Sequence, residues 1–177
     1  KQISTGKKEN KFGVDEKTFF DLVNYSKLSK NINLKCLSVH IGSQILDHKP
    51  YEKMLTVVDR IIKKSNHKFE FIDLGGGMGI SYEKNNIKLN YQKYNIAIKK
   101  FLKNHKSKII FEPGRAIVGN IGSLISKVIY IKENDKKDFI ILDAAMNDLM
   151  RPALYGANHR TLPVIKTNQT SKKVYEF

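Results

Sequence analysis

The 177-residue chain has one cysteine, no tryptophan, four prolines and 17 acidic residues against 32 basic ones, and these shortages exclude several classes of protein. A single cysteine, Cys36, makes no intrachain disulfide and no cysteine zinc site, which suits a reducing, cytoplasmic setting without a metal. Lying in the apolar run LKCLSVH, it is expected to be a small buried hydrophobe. No stretch approaches the roughly 18 uninterrupted apolar residues of a membrane span. The opening KQISTGKKENKFG has no apolar core of the kind a signal peptide needs.

Scarcity of acid leaves a net charge of +15, which first suggests a nucleic-acid or anionic-membrane partner. Arginine is scarce too, at 4 against 28 lysines spread along the chain, beside 21 Ile and 15 Asn. A nucleic-acid groove mixes Arg with stacking aromatics. The charge therefore reads as a compositional bias on solvent-facing positions, and neither nucleic acid nor membrane is expected as a partner. Hydrophobic residues at 41% and charged ones at 28% are ordinary for a globular chain. The length suits one sizeable core but falls far short of the roughly 250 residues of a closed eight-unit barrel. The chain opens on Lys1 and stops at VYEF inside an apolar alternation, so it is expected to be a piece of a longer protein.

Three strand patterns recur. NLKCLSVHIGSQ is followed by a helical segment from Pro50 to about Lys64, with Met54, Val57, Val58, Ile61 and Ile62 at helical spacing. KFEFIDL runs into Gly75–Gly77 and a helix from Tyr91 to about Asn104, with Tyr94, Ile98, Phe101 and Leu102 on one stripe. KIIFE runs into PGR. His40, Gly75 and Glu112 each close a strand and lie 35 and 37 residues apart, the repeat of a βα unit in a parallel sheet. Past Gly119 the pattern changes: SLISKVIYI, the charged solvated turn KENDKKD and FIILDA read as a mostly antiparallel region. A boundary near Gly119 to Gly122 is expected, and Pro152 breaks or starts any helix in MNDLMRPALYGANHR.

In a parallel sheet the carboxyl ends of the strands share one rim, so His40–Ser43, Gly75–Gly77 and Glu112–Arg115 converge. Glycine amides, the Ser43 hydroxyl and the Arg115 guanidinium are what a phosphate needs. Glu112 would repel that phosphate unless the ligand also carries a cationic ring nitrogen, whose protonated form a carboxylate favours. Plainer readings stand beside these: glycines serving a tight turn, His40 satisfied by a backbone carbonyl, and Glu112 paired with Arg115.

Taken together, HIGSQ, DLGGGMGISY, EPGRAIVGNIG and DAAMNDLMRPALYGANH, with the opening ISTGKKENKFGV, resemble the diaminopimelate decarboxylase group of the alanine-racemase-like barrel family. The resemblance implies an α/β fold. Residues 1–119 would be the last strands of a (β/α)8 TIM barrel that binds pyridoxal 5'-phosphate, and residues 120–177 the start of a C-terminal β domain. It implies that His40 stacks on the cofactor ring, that Ser43, Gly75, Gly76, Gly77, Pro113, Gly114 and Arg115 cradle the cofactor, and that Glu112 faces the pyridine nitrogen. Arg115, Arg151 and Tyr155 would contact substrate. The implied reaction converts meso-2,6-diaminopimelate to L-lysine and CO2 in a cytoplasmic homodimer. The lysine that binds the cofactor covalently would lie before residue 1, and a Cys-Glu-Ser segment and a further Tyr beyond residue 177. None of the 28 lysines fits that role, Lys11 in NKFG being structural, so the isolated chain is expected to be inactive.

Two alternatives remain at this point: an ornithine- or arginine-type decarboxylase of the same family, and a non-catalytic regulatory protein on the same barrel. A substrate ammonium wants a carboxylate opposite it, whereas a second carboxylate wants Arg and a hydroxyl. Arg151 and Tyr155, four apart and on one face if helical, favour the dicarboxylate.

Overall fold

The computed structural model describes residues 12–82, 87–165 and 175–176. They divide into two units, the first ending at Ile121 and the second beginning at Gly122, with Tyr82 grouped with the second. Lys11 and the opening segment before it lie outside the described residues.

The first unit opens with helix α1 (Glu16–Leu28), started by Asp15, whose carboxylate accepts the Thr18 N–H at 2.7 Å. Three βα repeats follow: β1 (Cys36–Ser38) and α2 (Lys49–Ser65), β2 (Phe71–Asp73) and α3 (Tyr91–Leu102), β3 (Lys108–Ile110) and the short α4 (Arg115–Val118). Pro50 sits in the first turn of α2, where its missing N–H costs nothing, and Asn66 ends that helix in the left-handed region at φ 46°. Asn90 caps α3 by accepting the Lys93 N–H. The strands form one parallel sheet in the order β1-β2-β3, in the register Leu37↔Ile72↔Ile109.

The buried stripe of α2 is Tyr51, Met54, Leu55, Val58 and Ile62, and that of α3 is Tyr94, Ile98 and Phe101. With Leu37, Ile72 and Leu74 they make one core. Val57, expected on the stripe, is instead 46% exposed, because the face turned inward is centred one position around the helix, on Leu55 and Val58. Cys36 is a second correction. Strand alternation turns Leu37 toward the core and leaves Cys36 exposed on the other face. Helix α1 is tied to α2 by a bidentate Glu16–Arg60 pair at 2.7 and 2.8 Å and by Lys64 at 3.2 Å. Those hydrogen bonds hold the Glu16 carboxyl down at about 2.

The second unit is a sheet in the order β4-β5-β6, formed by β4 (Val128–Lys132), β5 (Asp138–Leu142) and β6 (Tyr175–Glu176). β4 and β5 are an antiparallel hairpin over the charged turn, and β6 pairs parallel to β5. β4 is shorter than the nine-residue alternation, and its register shifts at a bulge between Val128 and Tyr130. Helix α5 (Arg151–Tyr155) has Pro152 in its first turn and is capped at its C-terminus by Gly156, whose φ of 57° suits glycine.

Candidate functional site

Because β1, β2 and β3 run parallel, the loops after them leave the sheet on one side. Backbone bonds join those loops beyond the strands: Val39 N–H to Asp73 O, Leu74 N–H to Ile110 O and Glu112 N–H to Gly75 O, at 2.9 to 3.0 Å. A parallel bridge pairs Ile45 with Met78. His40, Gly75–Gly77 and Glu112–Arg115 thus stand together at the rim, with Ser43 half-buried on the first loop.

The glycines are required by this close approach. A Cβ on Gly76 would sit 2.1 Å from the Glu112 carbonyl, one on Gly77 2.1 Å from that of Gly42, and one on Gly75 2.9 Å from His40 Nδ1. Gly75 and Gly77 also have φ of 64° and 83°. The glycines therefore serve a tight turn, as the plainer reading has it, and the turn is packed directly against the neighbouring loops. Gly114 differs, since open space lies where its Cβ would be, so this part of the rim has room for a ligand.

Three further side chains hold the rim. Asp73, buried at the end of β2, accepts the Gly75 N–H at 2.8 Å and the Ser38 hydroxyl at 3.2 Å. The fully buried Tyr51 donates to the Gly76 carbonyl at 3.2 Å, and burial, with a smaller contribution from Tyr91, pushes its phenol up to about 12. Gln44 accepts from Arg115 Nη1 at 2.9 Å. An Asp two residues before a glycine is a turn signal that the sequence does carry. Nothing in the sequence marks Tyr51 or Gln44.

The chemistry of this donor set fits pyridoxal phosphate: an exposed imidazole at His40, an exposed carboxylate at Glu112 and a guanidinium at Arg115, beside open space at Gly114. The cofactor needs a partner for its ring face, an anion near its ring nitrogen and donors for its phosphate. His40 is not a core histidine satisfied by a carbonyl; its ring is exposed and Nδ1 faces the Gly76 N–H at 3.5 Å. Arg151 and Tyr155 lie on α5 in the second unit, with the guanidinium 5.2 Å from the Tyr155 ring centre and Arg151 Nε buried without a hydrogen-bond partner among the described residues. No helix among the described residues is long and apolar enough to cross a membrane.

A sequence model of the family described as "Pyridoxal-dependent decarboxylase, pyridoxal binding domain" matches residues 1–119. Diaminopimelate decarboxylase of Aquifex aeolicus is 40% identical over 99% of this chain and 42% of its own length. The crystal structure of Helicobacter pylori diaminopimelate decarboxylase complexed with L-lysine superposes with a TM-score of 0.81 at 42% identity, covering 90% of this chain and 40% of that one. The arginine decarboxylase of Paramecium bursaria Chlorella virus, at 23% identity and a TM-score of 0.69 over 82% of this chain and 40% of that one, shares the fold alone. The chain spans about two fifths of the length of the curated relatives it matches. Its parallel sheet is thus an arc of a (β/α)8 barrel, and the hairpin sheet belongs to a β domain. With the matched segment running from the start of the chain through the Glu-Pro-Gly-Arg rim, the chain belongs to the pyridoxal-dependent decarboxylase family and carries part of its pyridoxal-binding domain.

Proposed function

We propose that the protein carrying this chain decarboxylates meso-2,6-diaminopimelate to L-lysine and CO2 with pyridoxal 5'-phosphate, as a cytoplasmic homodimer. Residues 1–119 contribute barrel and cofactor site, and residues 120–177 open the β domain. The observation that carries the reading is the rim itself: His40, Glu112 and Arg115 brought to one edge around the glycine turn. The likeness to diaminopimelate decarboxylases across nearly the whole chain supports the choice of substrate.

The cofactor, when bound, supplies an electron sink for the carbanion left by loss of CO2. His40 lies against the ring face. Glu112 holds the proton on the ring nitrogen, since a carboxylate favours the charged pyridinium. Ser43, Arg115 and the amides of Gly77 and Gly114 hold the phosphate, Gly75 and Gly76 shape the turn of the cradle with their own N–H groups turned to Asp73 and His40, and Pro113 stiffens the turn between Glu112 and Arg115. Arg151 and Tyr155 hold the carboxylate that is retained, and Arg115 is a further substrate contact. Arg151 Nε suits that role, because a buried donor that has no partner among the described residues is costly until an acceptor arrives. An ornithine or arginine side chain offers no such acceptor.

In the complete gene product, Glu112→Gln is expected to leave cofactor absorbance largely intact and to lower turnover by about 10²-fold, the usual loss for one well-placed electrostatic partner. Undiminished turnover, or equal activity on ornithine and arginine, would refute the respective parts of the proposal.

A further inference from the structure

Gln44 sits on the loop after β1, and its side chain reaches both the loop after β2 and the helix after β3. Its backbone is left-handed at φ 61°, a region that non-glycine residues seldom enter and that persists where the surroundings over-determine it. On the β2 loop it reads both polar groups of Ile80: Nε2 donates to the Ile80 carbonyl and Oε1 accepts the Ile80 N–H at 3.3 Å. The same Oε1 accepts from Arg115 Nη1, on the helix that follows β3. The neighbouring Ile45 is paired to Met78, so the loop that carries Gln44 is itself held in register. A Cβ on Gly79 would stand 3.0 Å from Gln44 Oε1, so the seat of the amide is lined by a residue with no side chain.

We infer that Gln44 is a positioning residue that aims the Arg115 guanidinium at an anionic ligand on the rim. An amide is suited to this work. Its donor end is locked by the Ile80 carbonyl, so its oxygen must face Arg115. Being neutral, that oxygen orients the guanidinium without cancelling its charge, whereas a carboxylate in its place would neutralise the charge. The inference rests on the cofactor reading above and adds to it a residue that touches neither cofactor nor substrate.

The test is a double-mutant cycle in the complete gene product, read by pyridoxal phosphate titration of the cofactor-stripped protein and by KM and kcat of the loaded enzyme. Gln44→Met keeps the length and removes all three hydrogen bonds. Gln44→Glu keeps the acceptor for Arg115 and adds a charge, and it keeps the test open if Gln44→Met does not fold. Gln44→Glu is expected to weaken cofactor affinity or raise KM by about tenfold, with kcat within about threefold; because a carboxylate oxygen then faces the Ile80 carbonyl, a lower melting temperature is also expected and affinity is read at a temperature where the variant is fully folded. In an Arg115→Ala background the same change is expected to add less than about twofold. Effects that multiply independently of Arg115, or a Gln44→Glu protein with unaltered affinity and KM, would overturn the inference and leave the cofactor assignment standing. An unmodified gene product that binds no pyridoxal phosphate would overturn both.

Discussion

Within this span, about two fifths of the length of its curated relatives, the two units bury apolar surface very differently. Every residue of the hydrophobic core lies in the first unit, where two amphipathic helices cover a three-stranded sheet. Between Gly122 and Ile165 no residue of the second unit is buried as a whole; all of β4 is exposed, Ile129, Tyr130 and Ile131 included. The difference follows from topology. A βα repeat brings its own covering helix with each strand, so a short run of repeats builds a core by itself. A hairpin brings none, and such a sheet gains stability only from what packs on it. The rim residues of the cofactor site are accordingly on a framework that the chain itself supplies.

The comparison breaks most severely at Gly76. Gly76→Val pushes a side chain into the Glu112 carbonyl, and the three strand ends must part; a loss of more than about 4 kcal/mol is expected, read as loss of the folded product in chemical denaturation. Such a variant reports on folding, so it is no probe of phosphate binding. Gly156→Ala in the second unit meets open space and pays only for its left-handed backbone, about 1 kcal/mol. Equal losses at the two glycines would contradict the account of the rim.

Paired truncations sharpen the contrast. Ile72→Ala empties a position at 0% exposure in the centre of the first sheet and is expected to cost about 2–5 kcal/mol. Ile129→Ala, at 63% exposure, is expected to change stability by less than about 0.5 kcal/mol. Should Ile129→Ala in the complete gene product cost as much as Ile72→Ala, the face of β4 is covered there and the contrast belongs to this segment alone. Denaturation midpoints read both.

The second unit should matter more to substrate than to stability. Arg151→Ala is expected to lower kcat/KM for diaminopimelate by about 30-fold or more while cofactor affinity stays near normal, the pattern of a truncated charge-assisted contact. A drop in cofactor affinity of similar size would move Arg151 from the substrate to the cofactor.

The smallest effect concerns the clasp of α1 on α2. The Glu16 carboxyl is lowered from 4.5 to about 2 by its hydrogen bonds to Arg60 and Lys64, so its contribution is full above about pH 4.5 and is lost as the pH falls toward 2. Glu16→Gln should therefore flatten the acid limb of the stability curve and do little at neutral pH in high salt, since the pair is exposed and screened. An acid limb identical in both proteins would show that the clasp adds nothing.

What could be read from the residues followed from local causes. Pro50, the stripe Tyr94–Ile98–Phe101 and the glycine turn each announce an element through backbone or periodic chemistry that needs no knowledge of the fold. Helix α1 escaped that reading. Its apolar residues scatter around the helix, Leu22, Tyr25 and Leu28 remain exposed, and the Asp15 cap was the main local signal. Cys36 was misplaced because an apolar run does not say which of its alternate faces meets the helices.

The sequence by itself determined that three strand ends some 35 residues apart carry His40, a glycine turn and Glu112 with Arg115, because parallel βα repeats bring such positions to one edge whatever the details of packing. How that edge is held depends on the folded arrangement of the loops. The buried Asp73 and Tyr51 fasten the glycine turn, and the left-handed Gln44 joins it to Arg115. Those contacts depend on distances between loops that no local propensity encodes, and a hydrogen bond exists only where two groups arrive within about 3 Å of each other.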